Sequence, residues 1–417
     1  MTAVDHRPAR RGLWWALGPA FVAAIAYVDP GNVAANLTAG ATHGHLLLWV
    51  LVAANLMAVL VQYLSAKLGL VTGDTLPGLI GSRLRRPGRL AFWGQAELVA
   101  AATDLAEVVG GAIALRILFG LPLVVGGVIV GAVSMGLLLV QSRGQRRFEY
   151  VVAALLAVIG LGFVAGLFVT DVDWRSAGAG LVPRFDGSES VLLAASMLGA
   201  TVMPHAIYLH SGLTRDHFVR DGFTQPTGDE VPRLLRATRI DVVAALVVAG
   251  SINLAMLVLA ANSLQGVSGT DTIEGAHAAI AASLGPAVAL LFGIGLLASG
   301  LASTSVGSYA GATIMAGLLR VRVPLVWRRL VTLLPALAVL ASGFDPTRAL
   351  VLSQVVLSLG IPFALVPLVR LTGDRALMGA HANARPTTVL AWVVTAAIVG
   401  LNLALLGLTL LEFTRAG

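Results

Sequence analysis

The chain of 417 residues is 57% hydrophobic and only 12% charged, contains no cysteine and carries a formal net charge of +7. Soluble domains are roughly 45–50% apolar and about 25% charged, so this composition excludes a water-soluble protein and predicts an integral membrane protein. The missing cysteines exclude disulfides and thiolate ligands, and the arginines lie in short connections between apolar runs, which favours cytoplasmic loop charge over a nucleic-acid-binding surface.

Eleven apolar runs are long enough to cross a membrane, for which a helix needs about 20 mainly apolar residues. Residues 1–12 contain a basic stretch and precede the first apolar run, which is too long for a signal peptide and is not followed by a cleavage site. They are therefore predicted to form a cytoplasmic N-terminus. The runs lack the two-residue alternation of a membrane β-barrel, which predicts an all-α fold. The predicted spans are residues 13–39, 45–70, 90–118, 121–140, 149–170, 190–213, 240–262, 276–317, 327–344, 348–370 and 388–412, of which the eighth is overlong.

The charges of the connections predict the orientation. Arginines concentrate in the connections that follow spans two, four, six, eight and ten, whereas the other connections are short or acidic. Basic loops remain on the cytoplasmic side, so the N-terminus is predicted to lie inside and the C-terminus outside an inner (plasma) membrane. An even number of spans would break this alternation.

The first and sixth spans each contain a proline-centred interruption. Asp29-Pro30-Gly31-Asn32 interrupts the first span, and Met203-Pro204-His205 interrupts the sixth. A proline has no N–H and clashes with the carbonyl four residues earlier, which frees the carbonyls of Ala26 and Ala200. Irregular backbone survives in a membrane only where protein or a cavity lines it.

The interruptions occupy corresponding places in two five-span halves. Paired interruptions of this kind indicate the binding site of an inverted-repeat transporter. The alternative is a pair of ordinary proline kinks, but polar side chains flank both prolines.

The side chains at the interruptions form a mixed set of donors. Asp29 supplies charge, Asn32 an amide oxygen and Met203 a thioether sulfur, beside the carbonyls of Ala26 and Ala200. Hard oxygen sites suit magnesium and calcium, whereas thioether sulfur favours softer transition metals. The set therefore predicts a site for manganese-, iron-, cobalt- or cadmium-like ions, although a buried methionine alone is more often a packing residue.

The third span holds three acidic residues, Glu97, Asp104 and Glu107, within about 80° on one helix face. Ionisable residues inside spans are rare and usually functional. Carboxylates crowded together in a low-dielectric environment are candidates for proton exchange near neutral pH. The alternative is structural ion pairing with Arg116 or another basic residue.

Two histidines belong to the sixth span. His205 lies beside the interruption and is a candidate proton relay, since imidazole titrates near neutral pH. A histidine held by a neighbouring hydrogen bond is the alternative. His210, further along the span, is a weaker candidate for gating.

These motifs, in this order and in a chain of this length, resemble the Nramp metal-ion transporters. The resemblance also includes QAELVAAATDLAEVVGGA in the third span and LVLSQVVLSLGIPFALVPL in the tenth. It implies an amino-acid-transporter-like fold of two inverted five-helix repeats, residues 13–170 and 190–370, plus an eleventh helix, residues 388–412. It also implies proton-coupled, inward transport of Mn²⁺ or Fe²⁺ by alternating access, without a cofactor.

The resemblance assigns roles to individual residues. It implies that the metal ligands are Asp29, Asn32 and Met203, that the carbonyls of Ala26 and Ala200 assist them, and that the tenth-span Gln354 joins the site in some states.

The resemblance also implies a proton route from Asp29 through Asp104, with Glu107 and Glu97 assisting. It pairs these acids with a ninth-span arginine, matched here by Arg328 or Arg329. Those two arginines could equally be cytoplasmic anchors beside Trp327.

Other function classes fit less well. An intramembrane enzyme is disfavoured because the chain has no HExxH, GxSxG or cysteine. A channel would gather short pore segments around a symmetry axis, whereas this chain carries two corresponding halves. A sodium-coupled amino-acid symporter would share the fold but present helix N-termini to a substrate carboxylate. A metal sensor that does not transport is the remaining alternative. The expected partners are the metal ion, protons and the lipid bilayer, and a monomer is favoured because the fold needs no partner chain.

Overall fold

The computed structural model describes residues 18–142, 145–220, 230–321 and 325–416, and all regular secondary structure in these ranges is helical. The predicted cytoplasmic N-terminus, residues 1–12, lies outside the described residues. The α-helices are α1 (Pro19–Ala24), α2 (Pro30–His43), α3 (Leu48–Thr72), α4 (Leu76–Arg83), α5 (Arg86–Phe119), α6 (Leu123–Ser142), α7 (Gln145–Val164), α8 (Trp174–Ala179), α9 (Gly187–Thr201), α10 (Pro204–Arg220), α11 (Glu230–Ser263), α12 (Ile273–Leu284), α13 (Pro286–Leu318), α14 (Leu325–Ser342), α15 (Pro346–Gly373), α16 (Arg375–Met378) and α17 (Arg385–Ala416).

Seven helical stretches of the described residues are long and apolar enough to cross a membrane. Three shorter apolar helices accompany them, at Pro19–Val28, Leu123–Gly136 and Ala153–Phe168. The predicted number of eleven spans is therefore not established by length and composition alone. The seven stretches are Leu48–Thr72, Arg86–Phe119, Gly187–Phe218, Glu230–Ser263, Pro286–Leu318, Pro346–Gly373 and Arg385–Leu408.

The predicted eighth span, residues 276–317, is wrong at its beginning. The chain forms α12, ends it at Leu284, turns at Gly285 and starts α13 at Pro286. Gly285 has φ +93°, which favours glycine, and Pro286 occupies the first turn of α13, where its missing N–H costs nothing. The apolar composition runs through this turn without a break, which is why hydropathy alone merged the two helices.

Two short helices, α4 and α12, begin in the same way. Thr75 caps α4 by accepting a hydrogen bond from the backbone N–H of Gly78 at 3.1 Å. Thr272 caps α12 by accepting one from Gly275 at 3.1 Å. Each threonine thereby satisfies one of the orphan donors at a helix start.

The helices on either side of the two interruptions pack against long helices. In the first half, α2 packs against α11, and in the second half α10 packs against α3. Helices α5 and α13 pack along each other, and α15 packs against α5 and α9. Together these contacts place both interruptions inside the helical bundle.

The last long helix, α17, completes hydrogen bonds that a proline removes from α15. Pro362 cannot donate to the carbonyl of Ser358. Asn402 on α17 donates to that carbonyl from Nδ2 at 2.8 Å and accepts from the Ser358 hydroxyl at 2.6 Å. The polar pair therefore joins α17 to α15 at the point where α15 is weakened.

Candidate metal-ion site

The first interruption is an unwound segment between α1 and α2. After α1 the chain forms one 3₁₀ turn, Ile25–Val28, and Asp29 then adopts an extended conformation with φ −70° and ψ 168°. Pro30 is the first residue of α2, so it begins a helix rather than kinking a continuous one. The Asp29 carboxylate caps α2 by accepting from the Asn32 backbone N–H at 2.8 Å.

Two neighbouring helices hold the carbonyls of this segment. Asn253 on α11 donates from Nδ2 to the Tyr27 carbonyl at 2.6 Å, and Ser299 on α13 donates to the Val28 carbonyl at 2.6 Å. Buried carbonyls need such partners because burying an unpaired polar group is costly. The carbonyl of Ala26, one residue earlier, points instead toward Asn32.

The second interruption separates α9 from α10. The helix ends at Thr201, Val202 has φ −102° and ψ 64°, and Met203 links it to Pro204 at the start of α10. Met203 is fully buried.

The two interruptions converge on the side chain of Asn32. Its Nδ2 donates to Asp29 Oδ1 at 2.7 Å, to the Ala200 carbonyl at 2.9 Å and to the Ala26 carbonyl at 3.4 Å. Three oxygens that face one positively polarised group form the environment a cation prefers. Because the amide orientation follows from its hydrogen bonds, binding a cation here would require the Asn32 amide to turn its oxygen toward the ion.

Two further oxygens of the interruption are buried without a hydrogen-bond partner among the described residues. They are Oδ2 of Asp29 and Oδ1 of Asn32, and both residues are only 1% exposed. A buried carboxylate oxygen without a partner is costly, so its presence points to a ligand that the fold itself does not supply.

Gln354 of α15 lies between the two interruptions. A Cβ on Gly31 would overlap the Gln354 amide, and a Cβ on Gly199 of α9 would overlap its backbone carbonyl. The Gln354 side chain donates to the Ser353 hydroxyl at 3.2 Å, and its Oε1 has no partner among the described residues. The structure therefore brings Gln354 against the first interruption, and its joining a metal site, as the resemblance implies, stays a prediction.

The donors at the two interruptions are one carboxylate, amides, carbonyls and one thioether, and the His205 imidazole beside them is hydrogen-bonded to Thr103. Within the described ranges, no group of three or more His, Cys, Asp or Glu side chains is placed to hold a metal ion. With one carboxylate, such a site neutralises only part of the charge of a divalent ion. The ion is therefore bound less tightly than in a site with several carboxylates, which suits an ion that is later released.

The third-span acids pair with the ninth-span arginines. Arg329, which is 1% exposed, places Nη1 2.8 Å from Asp104 Oδ1 and 3.9 Å from Glu107 Oε2. The hydroxyls of Ser134 and Thr304 accept from its Nε at 3.2 Å and its Nη2 at 3.4 Å. These contacts hold the guanidinium beside the two carboxylates.

The neighbouring Arg328 pairs with Glu97 at 3.3 Å and donates to the Ser308 carbonyl at 3.5 Å. It is 6% exposed, whereas Trp327 beside it is 66% exposed. The interpretation of the two arginines as plain surface anchors is therefore wrong. Arg116 lies exposed near the end of α5, and the acidic residues pair with Arg328 and Arg329 instead, which the alternative of ion pairing with another basic residue included.

Both sixth-span histidines are buried and hydrogen-bonded. His205 Nδ1 lies 3.2 Å from the Thr103 hydroxyl on α5. His210 Nδ1 lies 2.7 Å from Gln62 Oε1, and Gln62 donates from Nε2 to the Tyr27 hydroxyl at 2.5 Å. His210 is therefore linked through α3 to the first interruption, and His205 to the acidic helix.

Two residues that support the first interruption, Asn253 and Ser299, are not among the predicted site residues. Both lie in largely apolar helices that carry several other polar residues, and each contacts a residue more than 200 positions away. The one available signal was that polar side chains inside membrane spans are costly and usually have a purpose.

Comparisons with known proteins give one consistent family. The model of the natural resistance-associated macrophage protein-like (Nramp) family matches residues 20–408. The chain is 61% identical over 408 residues to the divalent metal cation transporter MntH of Mycobacterium tuberculosis (strain ATCC 25618 / H37Rv), covering 98% of this chain and 94% of that protein. It is 47% identical over 388 residues to MntH of Deinococcus radiodurans, covering 93% of this chain and 88% of that protein.

Solved structures show the same relationship. A crystal structure of the Eremococcus coleocola manganese transporter matches with a TM-score of 0.83 at 31% identity, covering 94% of this chain and 86% of that one. A nucleobase-cation-symport-1 family transporter in a closed conformation matches with a TM-score of 0.55 at 16% identity, covering 94% and 92% of the two chains. The second likeness shows the fold alone.

Proposed function

The chain belongs to the Nramp family and is a divalent metal cation transporter, and we propose that it imports Mn²⁺ or Fe²⁺ together with protons by alternating access. The observation that carries the site is the convergence of Asp29, Asn32 and the Ala26 and Ala200 carbonyls, and the choice of ion rests on Met203, which is buried in the second interruption three residues after Ala200. Oxygen donors alone would suit magnesium or calcium, and the thioether favours a softer ion.

The proposed architecture has eleven spans, with two inverted repeats at residues 13–170 and 190–370 and an eleventh helix at residues 388–412. Matching contacts support it, because α2 packs on α11 as α10 packs on α3, and α5 packs on α15 as α13 packs on α7. The equivalent threonine caps of α4 and α12, which follow the second and seventh predicted spans, support the same correspondence.

We propose that the protein is a monomer of the plasma membrane, with its N-terminus in the cytoplasm and its C-terminus outside. The alternation of basic and acidic connections supports this orientation.

The proposed proton route runs from Asp29 to the acidic face of α5. Gly110, nearly one turn beyond Glu107, lies against the Pro30 ring, so α5 contacts the first interruption directly. Arg329 bridges Glu107 and Asp104, and Arg328 continues the chain of charged groups to Glu97, which is partly exposed. In a row of paired charges along one face of α5, a proton can move while each remaining charge keeps a partner.

Transport of Mn²⁺ into proteoliposomes that contain a pH reporter tests the proposal. We expect uptake of Mn²⁺ with simultaneous acidification of the interior. Mn²⁺ uptake without acidification would contradict proton coupling while leaving the metal site in place. The absence of any divalent-metal uptake would contradict the proposed function.

Replacing Asp104 by Asn is expected to reduce proton movement more than metal uptake. The amide keeps the shape of the carboxylate near Arg329 but removes one exchangeable charge from the row. We expect the ratio of protons to Mn²⁺ ions moved to fall severalfold, because a positioned proton-transfer group is lost while the other acidic residues stay. The measurement is the internal pH change per Mn²⁺ ion taken up.

The matched control is Asp271→Asn, an exposed carboxylate in the connection before α12. It should leave the ratio unchanged. An unchanged ratio in Asp104→Asn as well would remove Asp104 from the route.

A further inference from the structure

A groove with a volume of about 540 Å³ lies between α4, the beginning of α5 and the end of α15. Its walls are mostly apolar, and Phe92 and Phe363 meet edge-on in them with ring centroids 6.1 Å apart. Phe363 is 45% exposed although it is a large apolar side chain. The two phenylalanines therefore form an apolar floor of the groove that is accessible from outside the protein.

The rim of the same groove is basic. Arg83 and Arg370 line it, at the last turns of α4 and α15. Arg83 is tied by an ion pair of 3.1 Å to Asp374, which caps α16, and its side chain remains 48% exposed. Arg370 has no ion pair with any described residue.

The ion pair positions Arg83 without removing its capacity to bind an anion. The hydrogen bond from Arg83 holds the pKa of the Asp374 carboxyl below its usual range, so the pair persists across neutral pH. Only one guanidinium nitrogen of Arg83 is engaged, and a guanidinium carries five N–H donors. With Arg370 beside it, the rim keeps a net positive charge.

We infer that this groove binds an anionic phospholipid of the cytoplasmic leaflet, with the phosphate between Arg83 and Arg370 and an acyl chain against Phe92 and Phe363. The inference rests on the proposed orientation, which places these arginines on the cytoplasmic side. Basic pockets between membrane helices on that side suit anionic headgroups, and the apolar floor suits a chain rather than a soluble anion.

The bound lipid would contact and stabilise the helices that carry the proposed transport residues. Helix α5 carries the acidic row, and α15 carries Gln354 between the two interruptions. A lipid that contacts α4, α5 and α15 together would stabilise one arrangement of them, so the headgroup charge would influence the stability of the whole protein.

The test is lipid binding by the intact purified protein, counted by native mass spectrometry with phosphatidylglycerol and with phosphatidylcholine. We expect tight binding of one phosphatidylglycerol. The variants Arg83→Gln and Arg370→Gln should each weaken it about fivefold, as expected for one arginine near a charged lipid surface. The control Arg175→Gln, which changes an exposed arginine on α8, should have no effect.

Several outcomes would overturn the inference. Equal binding of the two lipids would show no preference for charge, and unchanged binding in both groove variants would place the lipid elsewhere. Displacement of the lipid by inorganic phosphate would identify a site for a soluble anion, and a dimer that covers the groove would identify an interface. Because the readout is a count of bound lipid, it is independent of whether the protein transports metal.

Discussion

Asp29→Asn is expected to abolish nearly all divalent-metal uptake while the protein stays folded. Asp29 is the one carboxylate at the two interruptions, and its Oδ2 is buried without a partner among the described residues. Loss of groups that merely orient metal ligands costs 10–100-fold in affinity, so loss of the charged ligand itself should exceed about 100-fold. The measurement is the initial rate of Mn²⁺ uptake into proteoliposomes.

The fold should tolerate this change because the amide can replace the hydrogen bonds of the carboxylate. An asparagine oxygen at position 29 would still accept from the Asn32 backbone N–H and from Asn32 Nδ2. Removing the charge also removes the cost of burying an unpaired carboxylate. We therefore expect an unchanged or higher unfolding temperature beside the lost activity.

The control is Asp186→Asn, which changes an exposed carboxylate just before α9. This variant should transport at the rate of the unchanged protein. Normal Mn²⁺ uptake by Asp29→Asn would exclude Asp29 from the metal site, and a protein that no longer folds would show that the carboxylate is structural.

The positions of the two helix interruptions could be predicted from sequence because their causes are local. Pro30 and Pro204 each forbid a hydrogen bond to a residue only four positions earlier, so the consequence follows from neighbouring residues. In the structure both prolines begin a new helix, with Asp29 and Met203 in the unwound links. The beginning of α13 was missed because Gly285 and Pro286 turn the chain without changing its apolar composition.

The surroundings of the site could not be predicted because they depend on contacts between distant parts of the chain. Nothing near Arg329 in the sequence indicates that it lies between Asp104 and Glu107, more than 200 residues away. The family resemblance supplied that pairing as an expectation but left open which arginine takes part. The structure shows that both do, Arg329 beside Asp104 and Glu107 and Arg328 with Glu97, and their role in proton movement stays a prediction.

Replacing Met203 is expected to change which ion the protein selects rather than the rate of Mn²⁺ uptake. Its thioether is the one sulfur donor at the interruptions, because the other groups there are carboxylate, amide and carbonyl oxygens and the His205 imidazole. Calcium and magnesium prefer oxygen, so the sulfur lowers their affinity relative to softer ions. Removing it should lower the preference for Mn²⁺ or Cd²⁺ over Ca²⁺ about tenfold, equal to about 1.4 kcal/mol.

Two substitutions separate the sulfur from the volume of the side chain. Met203→Ala removes both, and truncating a buried methionine costs about 2–5 kcal/mol of stability. Met203→Leu removes the sulfur and keeps the volume, a change that usually costs less than about 1.5 kcal/mol. Both variants should therefore lose selectivity, whereas only the alanine variant should lose substantial stability.

The matched control is Met197→Leu, which replaces a methionine on α9 that is equally buried but lies away from the interruption. Competition by Ca²⁺ against Mn²⁺ uptake measures selectivity in all three variants. If Met203→Leu excludes Ca²⁺ as well as the unchanged protein does, the sulfur is a packing group and selectivity arises from the oxygen donors. If it admits Ca²⁺ and Met197→Leu does not, the selectivity belongs to the donor atom at the second interruption and not to the loss of a methionine from the bundle.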